Sequence, residues 1–138
     1  MARIVSPMDM RIELITLPVS DVDRARDFYA GIGWNVDHDQ VVSPELRFVQ
    51  ITPPGSACSI AFGQGLSEDA PGSSRNIQLV IRDADAALAM LTEKGVPADG
   101  VDEQPWGRFV TFHDPDGNRF TLQQLPEWTE GYANRPAE

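Results

Sequence analysis

The 138-residue sequence has one cysteine, few basic residues and no long apolar run, and each shortage excludes something. Cys58 has no cysteine to pair with, so no intrachain disulfide can form. Lys and Arg number 11 against 21 Asp and Glu, which gives a net charge of −10. This balance argues against a nucleic-acid partner, because such partners are bound by neutralising phosphates with basic side chains. The absence of a membrane-length apolar run argues against a membrane partner.

The first residues, the cysteine content and the hydrophobic fraction predict the location of the protein and its number of domains. Residues 1–7 lack the apolar stretch of a signal peptide, and the cysteine usage fits a reducing compartment, so a cytoplasmic protein is expected. Cys58 lies in a strand-like run and is predicted to be a small buried apolar residue rather than a nucleophile. A hydrophobic fraction of 41% is enough for a packed core. The whole chain, residues 1–138, is therefore interpreted as one folded domain.

The first half, residues 10–62, is predicted to follow the order β-α-β-β-β. An apolar strand over residues 11–19 precedes a helix that Asp21 caps. Gly31 and Gly33 end that helix. A second strand begins at residues 34–36, and the polar run 37–39 is predicted as a loop. Two further strands are predicted over 46–52 and 57–62, and the apolar face of the helix is predicted to comprise Val22, Ala25, Phe28, Tyr29 and Ile32.

The second half repeats this order after a polar Gly/Pro/Ser-rich linker over residues 63–75. The second module, residues 76–125, begins with a strand over 76–81 and a helix capped by Asp83. A weak strand near residues 96–101 follows. The last hairpin turns at Asp114-Pro115-Asp116-Gly117-Asn118, where Asp-Gly tolerates a positive φ. Residues 126–138 are predicted to form an extended C-terminal arm.

An offset of 62 residues relates the two halves. It joins helix cap to helix cap, Asp21 to Asp83, and turn to turn, Gly55 to Gly117. Each half of about 55 residues is too small to bury a good core alone, so the halves are expected to pack together within one chain or across a dimer. The predicted fold class is α+β, with two βαβββ modules forming a curved mixed sheet around a concave pocket.

Two motifs carry a resemblance to a known superfamily. Residues 17–29, LPVSDVDRARDFY, and residues 114–118, DPDGN, lie in two βαβββ modules. In this the chain resembles the vicinal oxygen chelate superfamily, which includes glyoxalase I, extradiol dioxygenases, fosfomycin-modifying transferases and bleomycin-resistance proteins. The resemblance covers residues 10–125. It implies the fold but not the chemistry, since the motifs are a helix start and a turn.

The resemblance also implies where a metal would bind in metal-using members. Carried onto this chain through its own motifs, the four ligand positions fall on Leu14, Ser59, Asn76 and Thr121. None of these is a good ligand for a divalent metal, so no metal and no cofactor are expected. Glu13 is adjacent to Leu14 but points to the opposite strand face unless a bulge intervenes.

The uncharged side chains at these four positions, in place of metal ligands, predict a neutral, metal-free pocket for a small molecule. The alternation of strand side chains places Thr16, Gln78 and Gln123 on the same faces, together with Ala61. Trp106 and Arg108 precede the last hairpin, where a loop would close over the concavity, whereas Trp34 is interpreted as core. The predicted ligand pocket comprises Leu14, Thr16, Ser59, Asn76, Gln78, Trp106, Arg108, Thr121 and Gln123.

Three functions remain open from the sequence. The first is a metal-free protein that sequesters a cationic or aromatic small molecule, similar to the bleomycin-resistance branch and expected as a homodimer. The second is a metal-dependent enzyme of the glyoxalase or dioxygenase kind. The third is a metal-independent enzyme that uses Glu13, His113 or Arg108 as acid, base or anion clamp. His38 lies in the predicted polar loop with Asp37 and Asp39.

Overall fold

The computed structural model describes residues 6–127. Within them the chain forms two compact units that meet at the Pro71–Gly72 peptide bond. Each unit contains one helix and one four-stranded mixed sheet, so the predicted α+β class and the two βαβββ modules are confirmed. The predicted single curved sheet is divided into two sheets, one in each unit. None of the helices in the described range is long and apolar enough to cross a membrane.

The first unit has the strand order β1-β4-β3-β2. β1 runs parallel to β4, and the other neighbours are antiparallel. Its elements are β1 (Leu14–Thr16), α1 (Val22–Gly31), β2 (Asn35–Ser43), β3 (Leu46–Thr52) and β4 (Ser59–Gln64).

The core of the first unit lies between α1 and one face of its sheet. Tyr29 of α1 is fully buried, and its ring stacks on Trp34 at a centroid distance of 5.1 Å and lies 5.8 Å from Phe62. The Asp21 carboxylate accepts a hydrogen bond from the Arg24 amide and so caps the helix, as the sequence predicts. Trp34 is therefore a core residue, with its ring held among other aromatics.

The second unit repeats this plan with the strand order β5-β8-β7-β6. β5 is parallel to β8, and the remaining pairs are antiparallel. Its elements are β5 (Ile77–Ile81), α2 (Ala84–Glu93), β6 (Asp102–Gln104), β7 (Gly107–His113) and β8 (Arg119–Gln124).

Two aspartate side chains stabilise local structure in the second unit by accepting backbone hydrogen bonds. Asp83 caps α2 by accepting a hydrogen bond from the Ala86 amide. In the last turn, the buried Asp114 carboxylate accepts bonds from the Asp116 amide at 3.0 Å and the Asn118 amide at 2.8 Å. Asn118 in turn accepts a bond from the Ser74 amide. The DPDGN motif therefore forms a turn that is stabilised by hydrogen bonds between its own residues.

Two sequence predictions of local structure are wrong. The polar run at residues 37–39 lies in strand β2 rather than in a loop, because pairing with β3 satisfies its backbone and a register irregularity at residues 36–38 accommodates it. The weak strand predicted near residues 96–101 appears only as an isolated bridge from Ala98 to Phe112, and β6 begins at Asp102. β1 is also shorter than predicted, whereas β3 has the predicted bounds.

The 62-residue offset holds at the helix caps but not in the strand registers. Ser59 lies opposite Leu14, whereas its counterpart Thr121 lies opposite Gln78 rather than Asn76. The two units thus differ by a shift of two residues. Because side chains alternate with a period of two, this shift leaves the predicted side chains on the predicted face. Most of the C-terminal arm, from residue 128 on, lies outside the described residues.

Candidate functional site

A cavity of about 510 Å³ lies on the face of the second sheet that points away from α2. Its volume is in the range of small-molecule sites. Alternation along the strands builds its wall: Phe109 and Thr111 of β7 face it, while Val110 and Phe112 are buried on the α2 side. The lining residues are Asn76, Gln78, Asp99, Gly100, Asp102, Gln104, Trp106, Phe109, Thr111, Arg119 and Thr121.

The cavity wall combines acidic, aromatic and amide groups. Asp99 and Asp102 carry two carboxylates against the one guanidinium of Arg119. Trp106 lies in the turn just before β7 with 58% of its surface exposed. An aromatic surface beside carboxylates suits an aromatic or cationic ligand, since ring faces and negative charge both attract cations.

Hydrogen bonds connect polar groups of the cavity wall to one another and to the neighbouring Gln123. The Thr121 hydroxyl donates to Asn76 Oδ1 at 2.7 Å. Gln78 Nε2 donates to Gln123 Oε1 at 2.6 Å, and Gln123 Nε2 donates to the Trp106 carbonyl at 3.1 Å. The structure thus brings five of the predicted pocket residues together, four of them in the wall and Gln123 bonded to two of those.

Arg108, also predicted for the pocket, lies on the opposite face of β7. Its guanidinium pairs with Asp85 of α2 at 3.1 Å and with Glu103 of β6 at 2.9 Å. These hydrogen bonds raise the pKa of Arg108, with Asp85 the larger cause. Arg108 therefore connects α2 to the sheet edge and is outside the cavity wall.

The remaining predicted pocket residues, Leu14, Thr16 and Ser59, belong to the first unit. Ser59 is buried and lies in a polar network on the sheet face opposite α1. Its hydroxyl is 2.6 Å from the Thr52 hydroxyl and 3.3 Å from Gln50 Nε2. Leu14 and Thr16 lie on the same face of the neighbouring β1, opposite Ser59 and Ala61.

Asp37 closes that network and was assigned no pocket role from the sequence. Its carboxylate accepts hydrogen bonds from the Thr52 hydroxyl and from Asn35 Nδ2. The bond from Thr52 lowers the pKa of Asp37, so the group carries a negative charge near neutral pH. The predicted loop at residues 37–39 concealed this contact, because only strand pairing places Asp37 beside Thr52.

The other residues considered for chemistry are not among those that line the cavity. His38 is exposed on β2 opposite Gln50, and His113 is exposed at the end of β7 opposite Arg119. Glu13 is exposed, and its backbone carbonyl accepts from the Ser59 amide. Cys58 is half-buried, and this burial raises the pKa of its thiol.

Comparison with known proteins identifies the family. The sequence profile of the Glyoxalase/Bleomycin resistance protein/Dioxygenase superfamily matches residues 11–122. The chain belongs to this superfamily. The match spans both units and includes every residue of the cavity wall.

Several known proteins are similar to this chain along most of their length. The crystal structure of TnmS3, an antibiotic binding protein from Streptomyces sp. CB03234, is 36% identical, covers 88% of this chain and 100% of its own, and superposes with a TM-score of 0.79. A glyoxalase/bleomycin resistance protein from the same organism is 38% identical over 83% of this chain and 100% of its own, with a TM-score of 0.73. The uncharacterized protein YetH of Bacillus subtilis (strain 168) is 24% identical over 85% of this chain and all of its own.

The metal site expected for metal-using members of the superfamily does not fit the side chains present. Leu14 has no donor atom, and Ser59, Asn76 and Thr121 offer hydroxyl and amide groups already bonded to neighbours. Divalent metals in proteins are held mainly by imidazole, carboxylate or thiolate. Within residues 6–127, no three His, Cys, Asp or Glu side chains are grouped so that they could hold a metal ion.

Sequence reasoning missed seven of the eleven residues of the cavity wall, and one of the seven is Arg119 of β8. The missed residues from β6, β7 and the segment before them are Asp99, Gly100, Asp102, Gln104, Phe109 and Thr111. The alternation of Phe109 and Thr111 with buried neighbours was a usable signal, as was the grouping of Arg119 with Thr121 and Gln123 on one strand face. The contribution of residues 99–104 had no such signal, because their strand was predicted in the wrong place.

Proposed function

We propose that this protein binds and sequesters a cationic or aromatic small molecule without a metal ion. The observation that carries the proposal is the cavity of the second unit, where Trp106 and Phe109 lie beside Asp99 and Asp102. The amide and hydroxyl groups of the cavity wall supply a few polar groups at fixed positions that can bind a ligand, as small-molecule sites generally do.

The relatives support a binding role. TnmS3 is described as an antibiotic binding protein, and the second Streptomyces relative as a glyoxalase/bleomycin resistance protein. Both are more than 30% identical to this chain and are covered over their whole length. The metal-free part of the proposal is supported by Leu14, Ser59, Asn76 and Thr121 at the four expected ligand positions, because none of these side chains is a good ligand for a divalent metal.

Binding is tested first with bleomycin as a cationic probe, by isothermal titration calorimetry and thermal unfolding. At 100 times its dissociation constant a ligand stabilises the folded state by about 2.7 kcal/mol. Trp106→Ala is expected to weaken binding at least several-fold, since it removes the exposed aromatic surface of the cavity. Val41→Ala, an exposed apolar residue of the first unit, is the matched control and is expected to bind as the wild type does.

Two measurements separate sequestration from catalysis. Mass spectrometry of bleomycin recovered from the complex is expected to show an unchanged molecule. Elemental analysis of protein purified without chelator is expected to find no stoichiometric Zn, Ni, Fe or Mn, and EDTA is expected to leave binding unchanged. A chemically altered probe, or a metal bound in equimolar amount, would contradict the proposal.

The proposal includes a cytoplasmic homodimer. The homodimer is supported by a run of exposed apolar side chains at every second position before and within β1, namely Met8, Met10, Ile12 and Leu14. Exposed apolar patches of this kind mark contact surfaces. Light scattering after size exclusion is expected to give twice the mass of the chain, and Ile12→Glu is expected to shift the protein to the monomer mass.

A further inference from the structure

The Gln123 side chain joins two residues of the cavity wall without lining the cavity itself. It bonds to the Trp106 backbone in the turn before β7 and to the Gln78 side chain on β5. We infer that Gln123 is a positioning residue that anchors the backbone of Trp106 and makes Gln78 a hydrogen-bond acceptor, so that the ligand is an aromatic molecule bearing an N–H or O–H donor. This inference rests on the proposed binding function and specifies its ligand.

The direction of the two hydrogen bonds follows from elementary chemistry. A backbone carbonyl only accepts, so Gln123 must direct its Nε2 at the Trp106 carbonyl, 3.1 Å away. Its Oε1 then faces Gln78, which must donate through Nε2 at 2.6 Å. The Oε1 of Gln78 is then the acceptor that this side chain offers to the cavity it lines, beside the second hydrogen of its Nε2.

The backbone at Trp106 depends on this anchor for two reasons. Trp106 is 58% exposed, so packing contributes little to its position. The next residue, Gly107, has a φ of +152°, and a Cβ there would lie 2.8 Å from the Gln124 carbonyl oxygen. The chain therefore enters β7 through a backbone conformation at Gly107 that only glycine tolerates. Gln123 binds the backbone carbonyl of Trp106, the residue just before this glycine.

The acceptors of the cavity then select for a donor on the ligand. Gln78 Oε1 and the carboxylates of Asp99 and Asp102 all accept hydrogen bonds, and they lie in one wall with the Trp106 and Phe109 rings. A site built to accept a hydrogen bond rejects an analogue without the donor, because the acceptor is then left unpaired. An aromatic molecule with a hydroxyl or amino hydrogen is thus favoured over its methylated analogue.

The first experiment measures Trp106 without any ligand. The signal of Trp106 is isolated by subtracting the fluorescence of the same variant carrying Trp106→Phe. Gln123→Glu keeps the size of the side chain and can still accept from Gln78, but it has no N–H for the Trp106 carbonyl. The Trp106 signal is expected to show lower anisotropy and faster acrylamide quenching in Gln123→Glu than in the wild type.

The matched control for this substitution is Gln64→Glu. Gln64 Nε2 also donates to a backbone carbonyl, that of Pro44, but in the first unit. It is expected to leave the Trp106 signal unchanged, and urea unfolding checks that both variants are folded. If Gln123→Glu and Gln64→Glu give the same Trp106 signal, the positioning role is overturned whatever the protein binds.

The second experiment uses 6-hydroxyquinoline and 6-methoxyquinoline, which differ in one hydrogen-bond donor. The wild type is expected to bind the hydroxyl compound about fivefold more tightly, the equivalent of a net hydrogen bond of about 1 kcal/mol. Gln78→Met is expected to reduce this preference, because Asp99 and Asp102 can still accept. Gln123→Met, which releases both Gln78 and the Trp106 carbonyl, is expected to reduce it and to weaken binding of both compounds, whereas Gln123→Glu is expected to weaken binding but keep the preference.

The outcomes separate this inference from the proposed function. Equal binding of the two quinolines by the wild type overturns the acceptor role of Gln78 and leaves a binding protein. Binding of bleomycin with no binding of either quinoline overturns the ligand class and again leaves the proposed function. Failure of bleomycin and both quinolines to bind overturns the proposed function and the ligand class together, while the fluorescence result still decides whether Gln123 positions Trp106.

Discussion

Asp114 shows how one buried carboxylate can organise a turn. It accepts hydrogen bonds from the amides of Asp116 and Asn118 and from Asn118 Nδ2, the last at 2.8 Å. Asn118 is fully buried and also accepts from the Ser74 amide, so the turn holds the segment that leads into β5. The residues that make DPDGN recognisable in the sequence therefore serve folding.

Asp114→Ala is expected to lower the free energy of unfolding by about 2–4 kcal/mol, because it leaves several buried donors without an acceptor. Urea unfolding followed by circular dichroism measures this loss. Asp69→Ala, in an exposed loop, is the control and is expected to change stability by less than about 0.5 kcal/mol. A loss at Asp114 no larger than at Asp69 would show that the turn does not depend on the carboxylate.

Between elements, the main ionic contact of the first unit is formed by Asp39 of β2. It accepts from Arg47 of β3 at 3.0 Å and from Arg26 of α1 at 2.8 Å, and Arg47 also reaches Asp23 of α1 at 2.9 Å. The bonds from Arg47, with those from Arg26, lower the pKa of Asp39 to about 2. This contact connects the exposed end of α1 to two strands.

The lowered pKa predicts how stability depends on pH. Because the folded value is below the ordinary 3.8, the stabilisation is present above about pH 4 and is lost as the pH falls towards 2. Asp39→Asn is expected to lower the free energy of unfolding by about 1 kcal/mol at pH 6, a figure reduced for solvent screening. The difference between Asp39→Asn and the wild type is expected to shrink at pH 2, measured by urea unfolding at both pH values.

Asp69→Asn serves as the control, since it removes a carboxylate from an exposed loop. Its difference from the wild type is expected to be small at both pH values. A difference for Asp39→Asn that stays constant from pH 6 to pH 2 would mean that the ion pair contributes no pH-dependent stability.

At the scale of the whole molecule, the net charge of −10 affects how ligands approach. A strongly charged protein attracts ligands of opposite charge, and salt screens that attraction over about 10 Å at 0.1 M ionic strength. Bleomycin is expected to bind more slowly and more weakly at 0.5 M than at 0.05 M NaCl, a range over which screening changes strongly. The neutral probe 6-hydroxyquinoline is expected to bind equally at both. Stopped-flow fluorescence gives the association rates, and equal salt dependence of the two probes would contradict charge steering.

The amino-acid sequence by itself determined the local elements and their duplication. Helix caps, helix faces and the Asp-Gly turn depend on residues close together in the chain, so Asp21, Asp83 and Gly117 are readable without a structure. The family resemblance assigned Asn76 and Thr121 to the predicted pocket, the alternation of strand side chains added Gln78, and all three line the cavity.

Only the tertiary structure decided which polar groups meet. Strand pairing kept residues 37–39 in β2 despite their polarity, and it placed Gln78 against Gln123, 45 residues away. It also turned Arg108 towards α2 rather than into the cavity. These outcomes depend on strand register and on partners distant in the chain, and no local propensity encodes either.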